Sequence, residues 1–484
     1  MLNYKILSII IYTNVLTHIV QGQRTPVSMN DKLPVDLLQE DFRTLRVKLE
    51  SSQPGLYLYT SKDSLNKIFE VMENSINEPM TSIEFFRKIA PLNRILRNLH
   101  TRFWPSAEYE KAIETDLLGF PFDIYWHKGQ MYVLRNHSEN ESILPGSEIK
   151  SINGESVGTI FQKILDCRVR DGLNETYPLA QASRNFSYYY AQLIGTPEIF
   201  NLELATPDGA NTVFEVRAVT ALAINKSRVE KYDRKFARYS GDWDAWIAKK
   251  EMPLRFEMKG DVAVITARTF YLPIIEESGQ NYEEFFKTSF TKIMRDKTKN
   301  LIIDLRNNHG GSDPVGMALM SHLHDSTFYY YKKRTTFIKP NTKFVKEGSV
   351  YEIKGKGVWT GRVKPAKDVY KGTVYVLMNG YSVSATGEFI GHLKNINRAV
   401  FIGEEAGGNP VTFTGGESLA LDLPHSRITG TIPYQWVEMN VRLKNTGHGV
   451  IPDYDVQPSI EDILEERDLE MELVMKLIKK NLTN

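Results

Sequence analysis

Two stretches of the sequence place polar and small residues directly after an apolar run. The first is Asp304-Leu305-Arg306-Asn307-Asn308-His309-Gly310-Gly311-Ser312, which continues the apolar run at 301–303. In α/β sheets, ligand sites lie beyond the carboxyl ends of the strands. The adjacent Gly310 and Gly311 allow backbone N–H groups to approach a substrate carbonyl closely, which is the geometry of an oxyanion hole. A plain turn before a helix is the alternative interpretation.

The second stretch is Asn379-Gly380-Tyr381-Ser382-Val383-Ser384-Ala385-Thr386-Gly387-Glu388-Phe389, and it follows the apolar run at 374–378. We expect a helix to begin near Ser384. A serine hydroxyl at a helix N-terminus lies near free N–H groups and the positive end of the dipole, which favour a developing alkoxide and oxyanion. Ser384 is therefore the candidate nucleophile. The alternative is that Ser382 or Ser384 only caps the helix.

These stretches together resemble the tail-specific (C-terminal-processing) serine peptidase family. The resemblance is carried by Asp304, Arg306, Asn307, Gly310 and Gly311, then Asn379, Ser384, Ala385 and Glu388, then 398–404, and finally Gly449-Val450-Ile451-Pro452-Asp453. It implies that Ser384 is the nucleophile and that Gly310, Gly311 and Ala385 form the oxyanion hole. Asp304, Arg306, Asn307 and Glu388 would support the site.

The general base is where the sequence departs from many members of this family, which pair the serine with a lysine. Residues 403–410 read Gly-Glu-Glu-Ala-Gly-Gly-Asn-Pro, and Asn409 stands about where that lysine would fall. A branch that resembles the tricorn core protease uses a histidine in an Asp-x-His-Thr context. Here the matching residues are Asn98-Leu99-His100-Thr101, so the resemblance implies His100 as the base. Neutral imidazole is a suitable base for a serine hydroxyl near pH 7.

Other assignments of the base and of its orienting group stay open at this point. His309 and His448 lie inside motif-bearing loops and are alternative bases, and His100 could instead be a capping or core histidine. A catalytic histidine needs an acid or amide to orient it. The candidates for that role are Glu438, Asn445 and Thr446.

The surrounding sequence predicts the elements that would position these residues. Apolar residues recur at helical spacing through 30–115, and a helix that starts at Thr81 is expected to run towards His100. Residues 116–225 contain short strand-like runs, an Asn153-Gly154 turn and a helix at 157–165, an order that resembles a PDZ-like domain with an insertion at 166–195. From 256 onwards strands and helices alternate, which predicts an α/β layer with a largely parallel sheet.

The predicted architecture is therefore an α/β catalytic domain, which the resemblance implies to be ClpP/crotonase-like, at 256–484. It is preceded by an N-terminal helical domain at 23–115, a PDZ-like domain at 116–225 and a charged linker at 226–255. A helix is also expected from Ser459 past Asp468, capped by Ser459 and Asp462.

Composition excludes several classes of protein. The chain of 484 residues has 60 lysines and arginines against 59 aspartates and glutamates, so charge gives no reason to expect nucleic acid as a partner. Cys167 is the single cysteine, so no internal disulfide can form, and no Cys/His cluster indicates a zinc site. Nothing in the sequence calls for a cofactor.

The N-terminus indicates export. Lys5 is followed by a mostly apolar run at 6–20 and by Val20-Gln21-Gly22, so we interpret residues 1–22 as a signal peptide. A short buried helix is the alternative. A periplasmic or extracellular location follows, without stable membrane insertion after cleavage.

The sequence as a whole predicts an exported serine endopeptidase that acts on polypeptides through an acyl-enzyme on Ser384. The PDZ-like unit would bind an extended or C-terminal peptide by strand addition. The alternative is a non-catalytic peptide- or hydrophobic-ligand-binding protein on the same fold.

Overall fold

The computed structural model describes residues 29–233, 235–239, 252–340, 343–354 and 362–483. The predicted signal peptide at 1–22 lies outside the described residues, as do residues 240–251 of the predicted linker. Within the described ranges, each helix is too short or too polar to cross a lipid bilayer.

Four helices form between residues 35 and 95, because each carries apolar residues that pack against its neighbours. The helices are α1 (Val35–Ser52), α2 (Lys62–Asn74), α3 (Ser82–Ile89) and α4 (Leu92–Ile95). A capping box between Thr81 and Glu84 starts α3, as the sequence predicts. The helix does not continue to His100, however. The chain turns after α4 and forms strand β1 (Arg102–Ser106), followed by helix α5 (Ala107–Thr115).

A six-stranded antiparallel sheet forms the middle of the chain, in the order β3-β4-β5-β7-β8, with the short β6 paired to β5 off this path. Its elements are β2 (Leu118–Gly119), β3 (Phe122–His127), β4 (Gln130–Asn136), β5 (Glu148–Ile152), β6 (Glu155–Ser156), α6 (Val157–Leu165), α7 (Thr176–Arg184), α8 (Phe186–Leu193), β7 (Ile199–Ala205), β8 (Asn211–Arg217), β9 (Val219–Thr220) and α9 (Ala221–Glu230). Helices α7 and α8 lie in the expected insertion and pack against the edge strand β3. The predicted linker therefore begins inside a helix, α9.

The C-terminal part is built on a six-stranded sheet in the order β10-β11-β12-β18-β19-β22, in which only the β10–β11 pair is antiparallel. Its strands and helices are β10 (Leu254–Lys259), β11 (Val262–Ala267), α10 (Leu272–Glu277), α11 (Tyr282–Arg295), β12 (Asn300–Asp304) and α12 (Asp313–Ser321). They continue with β18 (Thr373–Met378), α13 (Ala385–Asn395), β19 (Val400–Gly403), β22 (Tyr454–Asp455), α14 (Ile460–Leu464) and α15 (Leu469–Thr483).

Helices cover both faces of this sheet, because alternate residues of its inner strands point to opposite sides. Ile303 and Val376 pack in the cluster that contains the helices α11 to α13. Ile302 and Leu377 pack on the other face, where Val474 of α15 joins them. The predicted α/β layer with a largely parallel sheet is confirmed. The predicted helix from Ser459 is instead two helices, because Glu466 takes a left-handed conformation between them.

A second sheet joins the beginning of the chain to its end. Its strands are β1, β14 (Tyr331–Thr336), β15 (Phe344–Glu347), β16 (Val350–Ile353), β20 (Thr412–Asp422) and β21 (Ile428–Met439), and a separate two-stranded ribbon pairs β13 (Phe328–Tyr329) with β17 (Arg362–Val363). Strand β21 pairs with β20 along one edge, and with β1 and β14 along the other. The turn that holds His100 is thereby fixed against the C-terminal part.

Replacing Gly430 with alanine should destabilise the protein by about 1–3 kcal/mol, the usual cost of an added group in a packed interior. The new methyl group would lie 2.5 Å from the carbonyl oxygen of Arg102 and 3.0 Å from the Phe103 ring, where β1 pairs with β21. The urea midpoint should fall with an unchanged slope. Gly158→Ala is the matched control, since its methyl group meets its nearest neighbour at 4.0 Å. An unchanged midpoint for Gly430→Ala would contradict the close approach of the two strands.

Candidate active site

Ser384 lies on a sharp turn between strand β18 and helix α13. Its φ of 54° falls in the left-handed region, which a residue with a side chain adopts only where its surroundings impose it. Ser382 supplies one such constraint, because its hydroxyl donates to the carbonyl of Leu305 at 3.0 Å and accepts from the N–H of Asn379 at 3.1 Å. Ser382 is therefore engaged in shaping the turn. Ser384 is left half-buried at the helix N-terminus, and its side chain caps no N–H group.

His100 reaches Ser384 from the turn between α4 and β1. Its Nε2 lies 3.3 Å from Oγ of Ser384, and its Nδ1 lies 3.0 Å from the carbonyl oxygen of Thr414. A carbonyl can only accept, so Nδ1 carries the proton and donates it to Thr414. Nε2 then has a free lone pair that faces the serine hydroxyl. This is the tautomer that a general base requires.

Asn98 holds the turn in which His100 sits. Its side-chain oxygen accepts from the N–H groups of His100 at 3.0 Å and Thr101 at 2.8 Å, while its Nδ2 donates to the carbonyl of Thr414 at 3.3 Å. An aspartate could accept the first two hydrogen bonds but could not donate the third. Asn98, which replaces the aspartate of the Asp-x-His-Thr pattern, therefore donates a hydrogen bond to the same Thr414 carbonyl that orients the imidazole.

The three side chains considered as orienting groups lie elsewhere. Glu438 accepts from Nε1 of Trp436 at 3.3 Å, and Asn445 accepts from Nδ2 of Asn409 at 2.9 Å. Thr446 is exposed. Sequence reasoning missed Thr414 because the group that contacts His100 is its main-chain carbonyl, which no side-chain pattern reveals.

Burial sets the charge state of His100. It lowers the pKa of the imidazole to about 4, the nearby Arg102 guanidinium adds to the decrease, and the hydrogen bond to Thr414 opposes it. Although His100 as a residue is half-buried rather than fully buried, the desolvation of the imidazolium outweighs that hydrogen bond. His100 is consequently neutral at pH 7 and able to accept a proton.

The glycine loop after β12 touches the turn of Ser384. A Cβ added to Gly310 would lie 2.8 Å from Cβ of Ser384 and 2.9 Å from the nitrogen of Ala385. The N–H of Gly310 already donates to Oδ1 of Asn308 at 2.9 Å, which removes it from the candidate oxyanion donors. Within the described part of the chain, the N–H groups of Gly311 and Ala385 have no acceptor. These two amides are the donors that remain available to an oxyanion. Asn308, whose side chain holds the Gly310 amide, is not among the candidate site residues predicted from the sequence.

An asparagine pair ties this loop to the serine turn. The N–H of Asn307 donates to Oδ1 of Asn379 at 3.0 Å, and Nδ2 of Asn379 donates to Oδ1 of Asn307 at 2.7 Å. The two residues follow adjacent parallel strands whose register places Asp304 beside Leu377. Two neighbouring strand ends therefore present their loops at one point.

Asp304 and Arg306 form a structural ion pair beneath this loop. The guanidinium binds both carboxylate oxygens at 2.8 Å, and it also contacts Asp468 at 2.7 Å and Glu470 at 3.2 Å at the start of α15. Burial alone would raise the pKa of Asp304, but the guanidinium groups of Arg306 and Arg268 outweigh burial and hold it well below its usual range. This pair anchors the strand end to the start of the C-terminal helix.

Glu388 lies one helical turn beyond Ser384 and is only 4% exposed. Burial, with Asp313 adding to it and Arg334 opposing it, raises the pKa of the Glu388 carboxyl well above its ordinary value. Burial therefore disfavours the charged form of this carboxyl in the first turn of α13.

The remaining candidate bases do not contact the serine hydroxyl. His309 packs on Tyr381 with ring centroids 4.4 Å apart, and Nδ1 of His448 lies 3.2 Å from Glu405. Asn409, at the expected lysine position, donates from its side chain to the hydroxyl of Tyr59 at 2.7 Å. Among the described residues, His100 is the basic side chain hydrogen-bonded to Ser384.

Comparison with known proteins adds to this geometry. Residues 261–456 match the model of peptidase family S41. A tail-specific protease of Haemophilus influenzae is 25% identical over 150 residues, which are 31% of this chain and 17% of that protein. The chain thus spans less than a fifth of the length of that curated relative. The resemblance to the tail-specific peptidase family is confirmed.

Solved structures extend the likeness in fold to nearly the whole chain. Mature CPAF complexed with lactacystin superposes with a TM-score of 0.65 at 16% identity, over 92% of this chain and 99% of that one. Mature CPAF alone gives a TM-score of 0.63 at 15% identity, over 89% and 94% of the two chains. The mixed α/β fold is therefore shared with a solved protein well outside the segment that the family model matches.

If His100 is the general base, the acid limb of the pH profile of kcat/KM should lie near pH 4. Proton transfer to His100 requires a neutral imidazole, so kcat/KM should stay level as the pH falls and then decline through about 4. The rate should be measured in short assays, with circular dichroism to verify that the protein remains folded. An acid limb at the ordinary imidazole value would show that burial does not lower the pKa of this ring.

Asn98→Asp should move the acid limb of kcat/KM to a pH higher by roughly one unit, because a carboxylate beside the ring favours the imidazolium. Asn140→Asp is the matched control, since Asn140 caps a distant turn by accepting from Ser142. A limb that stays in place in Asn98→Asp would contradict the position of this side chain beside the Nδ1–H of His100.

Proposed function

We propose that this chain, whose residues 261–456 match peptidase family S41, is an exported serine endopeptidase that cuts polypeptides through an acyl-enzyme on Ser384. The observation that carries the proposal is the geometry of His100. One nitrogen is anchored on the Thr414 carbonyl, and the other faces the Ser384 hydroxyl at 3.3 Å.

The proposed reaction begins with the Ser384 oxygen attacking the carbonyl carbon of the scissile peptide bond. His100 takes the hydroxyl proton at Nε2 as the new bond forms. The resulting oxyanion accepts hydrogen bonds from the N–H groups of Gly311 and Ala385, which we assign to the oxyanion hole. Each donor of this kind contributes about 2.7–4 kcal/mol to transition-state stabilisation.

His100 then returns the proton to the leaving amine, and the peptide bond breaks to give an ester on Ser384. Water attacks that ester with His100 again accepting a proton. His100 returns this proton to the Ser384 oxygen as the ester bond breaks, and the carboxylic acid product leaves. A carbonyl orients the imidazole in place of a carboxylate, so the transient imidazolium is stabilised by the Thr414 dipole rather than by a full negative charge. Because the anchor is neutral, it raises the pKa of His100 less than a carboxylate would.

The finer architecture supports a peptide substrate. We assign residues 23–115 to a helical domain, 116–225 to a PDZ-like domain, 226–255 to a linker and 256–484 to a ClpP/crotonase-like core. The sheet of the PDZ-like unit has β3 and β8 as its edges. At β3, the N–H of Trp126 donates to Oγ of Ser183 on α7 at 3.0 Å, so the inserted helices occupy that edge. We therefore place strand addition at β8, where Val213 is 70% exposed.

A fluorophosphonate that reacts with activated serines tests the proposal. The wild-type protein should be labelled, with the modification mapped to Ser384, and Ser384→Ala should abolish labelling and peptide hydrolysis. His100→Ala should cost about as much activity as Ser384→Ala, because the two residues act as a unit. His448→Ala and Ser326→Ala, at exposed sites, are the matched controls and should retain activity.

If His448→Ala lost activity while His100→Ala retained it, the general base would be His448 and not His100. Absence of labelling in the wild-type protein would favour a non-catalytic binding protein on this fold instead.

Export rests on the apolar run at 6–20 and the small residue at its end. If the segment is a cleaved signal peptide, N-terminal sequencing of the protein recovered outside the cytoplasm should begin at Gln23. A mature protein that retains residues 1–22 would contradict cleavage at this site.

A further inference from the structure

One arginine from the middle of the chain contacts both loops that build the candidate site. Arg184 ends helix α7, inside the segment 166–195. One of its terminal nitrogens donates to Oδ1 of Asn307 at 2.6 Å, and its guanidinium lies 4.2 Å from the centroid of the Tyr381 ring. Asn307 belongs to the glycine loop, and Tyr381 belongs to the turn of Ser384. A single side chain therefore joins the middle sheet to both strand ends.

The Tyr381 ring also packs against other residues of the site. Arg184 packs on it, and the His309 ring packs against it with centroids 4.4 Å apart. Tyr177, from the same helix as Arg184, meets it edge-on at 5.4 Å. Residues from α7 and from the glycine loop thus enclose a ring that lies three positions before the nucleophile.

Asn307 accepts two hydrogen bonds at the same oxygen. Nδ2 of Asn379 donates at 2.7 Å, and Arg184 donates at 2.6 Å. The Asn307 side chain is then oriented by both donors, and its φ of 66° is in the left-handed region, where local interactions must hold the backbone. These hydrogen bonds therefore fix the start of the loop that continues to Gly310 and Gly311.

The chemistry of arginine suits this arrangement. Its guanidinium is planar, so it can lie on an aromatic ring while its edge donates a hydrogen bond in the same plane. Among the described residues, no carboxylate lies within ion-pair distance of Arg184. The direct contacts of its guanidinium are therefore with the ring and the amide, while the Glu404 carboxyl acts on it from beyond ion-pair distance.

We propose that Arg184 is a positioning residue for catalysis: it clamps the glycine loop and the serine turn in the relative placement that the reaction requires. The proposal rests on the proposed peptidase function. It also gives the segment 166–195 a role, since the same inserted helices that occupy the β3 edge deliver the clamp. Displacing a reacting group by about 1 Å can cost on the order of 100-fold in rate.

The experiment combines active-site titration with acylation kinetics, using the fluorophosphonate on full-length variants. In Arg184→Met, the acylation rate constant per titrated site should fall by about 10- to 100-fold, while the number of sites per chain and the KM for peptide stay close to wild type. Arg184→Lys should lose less, because lysine keeps the charge but cannot stack and donate in one plane. Arg168→Lys is the matched control, since Arg168 lies in the same segment and packs on Tyr189 at 3.6 Å.

A purely structural role would give a different result. Fewer titratable sites with an unchanged rate per site would mean that Arg184 only stabilises the fold, and this would overturn the proposal. The proposal would also be overturned if the acylation rate constant per titrated site in Arg184→Lys equalled the wild-type value.

Hydrogen exchange provides a readout that does not depend on activity. Amide exchange in 305–311 and in 379–385 should rise together in Arg184→Met and remain unchanged in Arg168→Lys. If the wild-type protein were not labelled at Ser384, the peptidase function would fail, and exchange would still decide whether Arg184 holds the two loops. Exchange that rises in only one loop, or in neither, would overturn the clamp.

Discussion

The hydrogen bond from Nδ1 of His100 to the Thr414 carbonyl fixes both the tautomer and the direction of the imidazole, and its donor and acceptor come from opposite ends of the chain. Strand β21 brings them together. It pairs with β1 at Arg102–Thr431 on one edge, and with β20 at Thr414–Trp436 on the other. The hydroxyl of Thr431 also donates to the carbonyl of His100 at 3.1 Å. A slip of one residue in this register would turn alternate groups to the opposite face and remove the base from the serine.

The six-stranded sheet of the C-terminal part fixes the position of Ser384, which the imidazole of His100 faces. Parallel pairing of β12 and β18 presents the glycine loop and the serine turn at neighbouring strand ends, and the asparagine pair fixes their separation. Beneath them, the Asp304–Arg306 pair fastens one strand end to α15. The ion pair is engaged with the start of α15, while the surroundings of His100 are the Thr414 carbonyl, which accepts from Nδ1, and the nearby Arg102 guanidinium. Burial and this positive charge both favour the uncharged imidazole.

Local structure was predictable where the signal is local. The strands at the apolar runs 301–303 and 374–378 and the helix after Ser384 follow from sequence pattern, because buried parallel strands are continuous apolar runs and helices begin after a tight turn. Strand Arg102–Ser106 was missed, because its partner lies more than three hundred residues away and tertiary pairing overrides local propensity. The loss of Gly310 as a donor required knowing where the Asn308 side chain points. His100 could be proposed only by resemblance, since nothing in its own neighbourhood distinguishes a base from a cap.

The two members of the proposed dyad are 284 residues apart in sequence. During biosynthesis, a growing chain contains His100 long before Ser384, and the strand at 412–422 that orients the imidazole emerges later still. Every truncated chain that ends before this strand therefore lacks a correctly oriented base for the serine. The same separation means that neither half of the molecule carries the complete dyad, so under the proposed peptidase function a chain that is still being synthesised has no complete reactive centre.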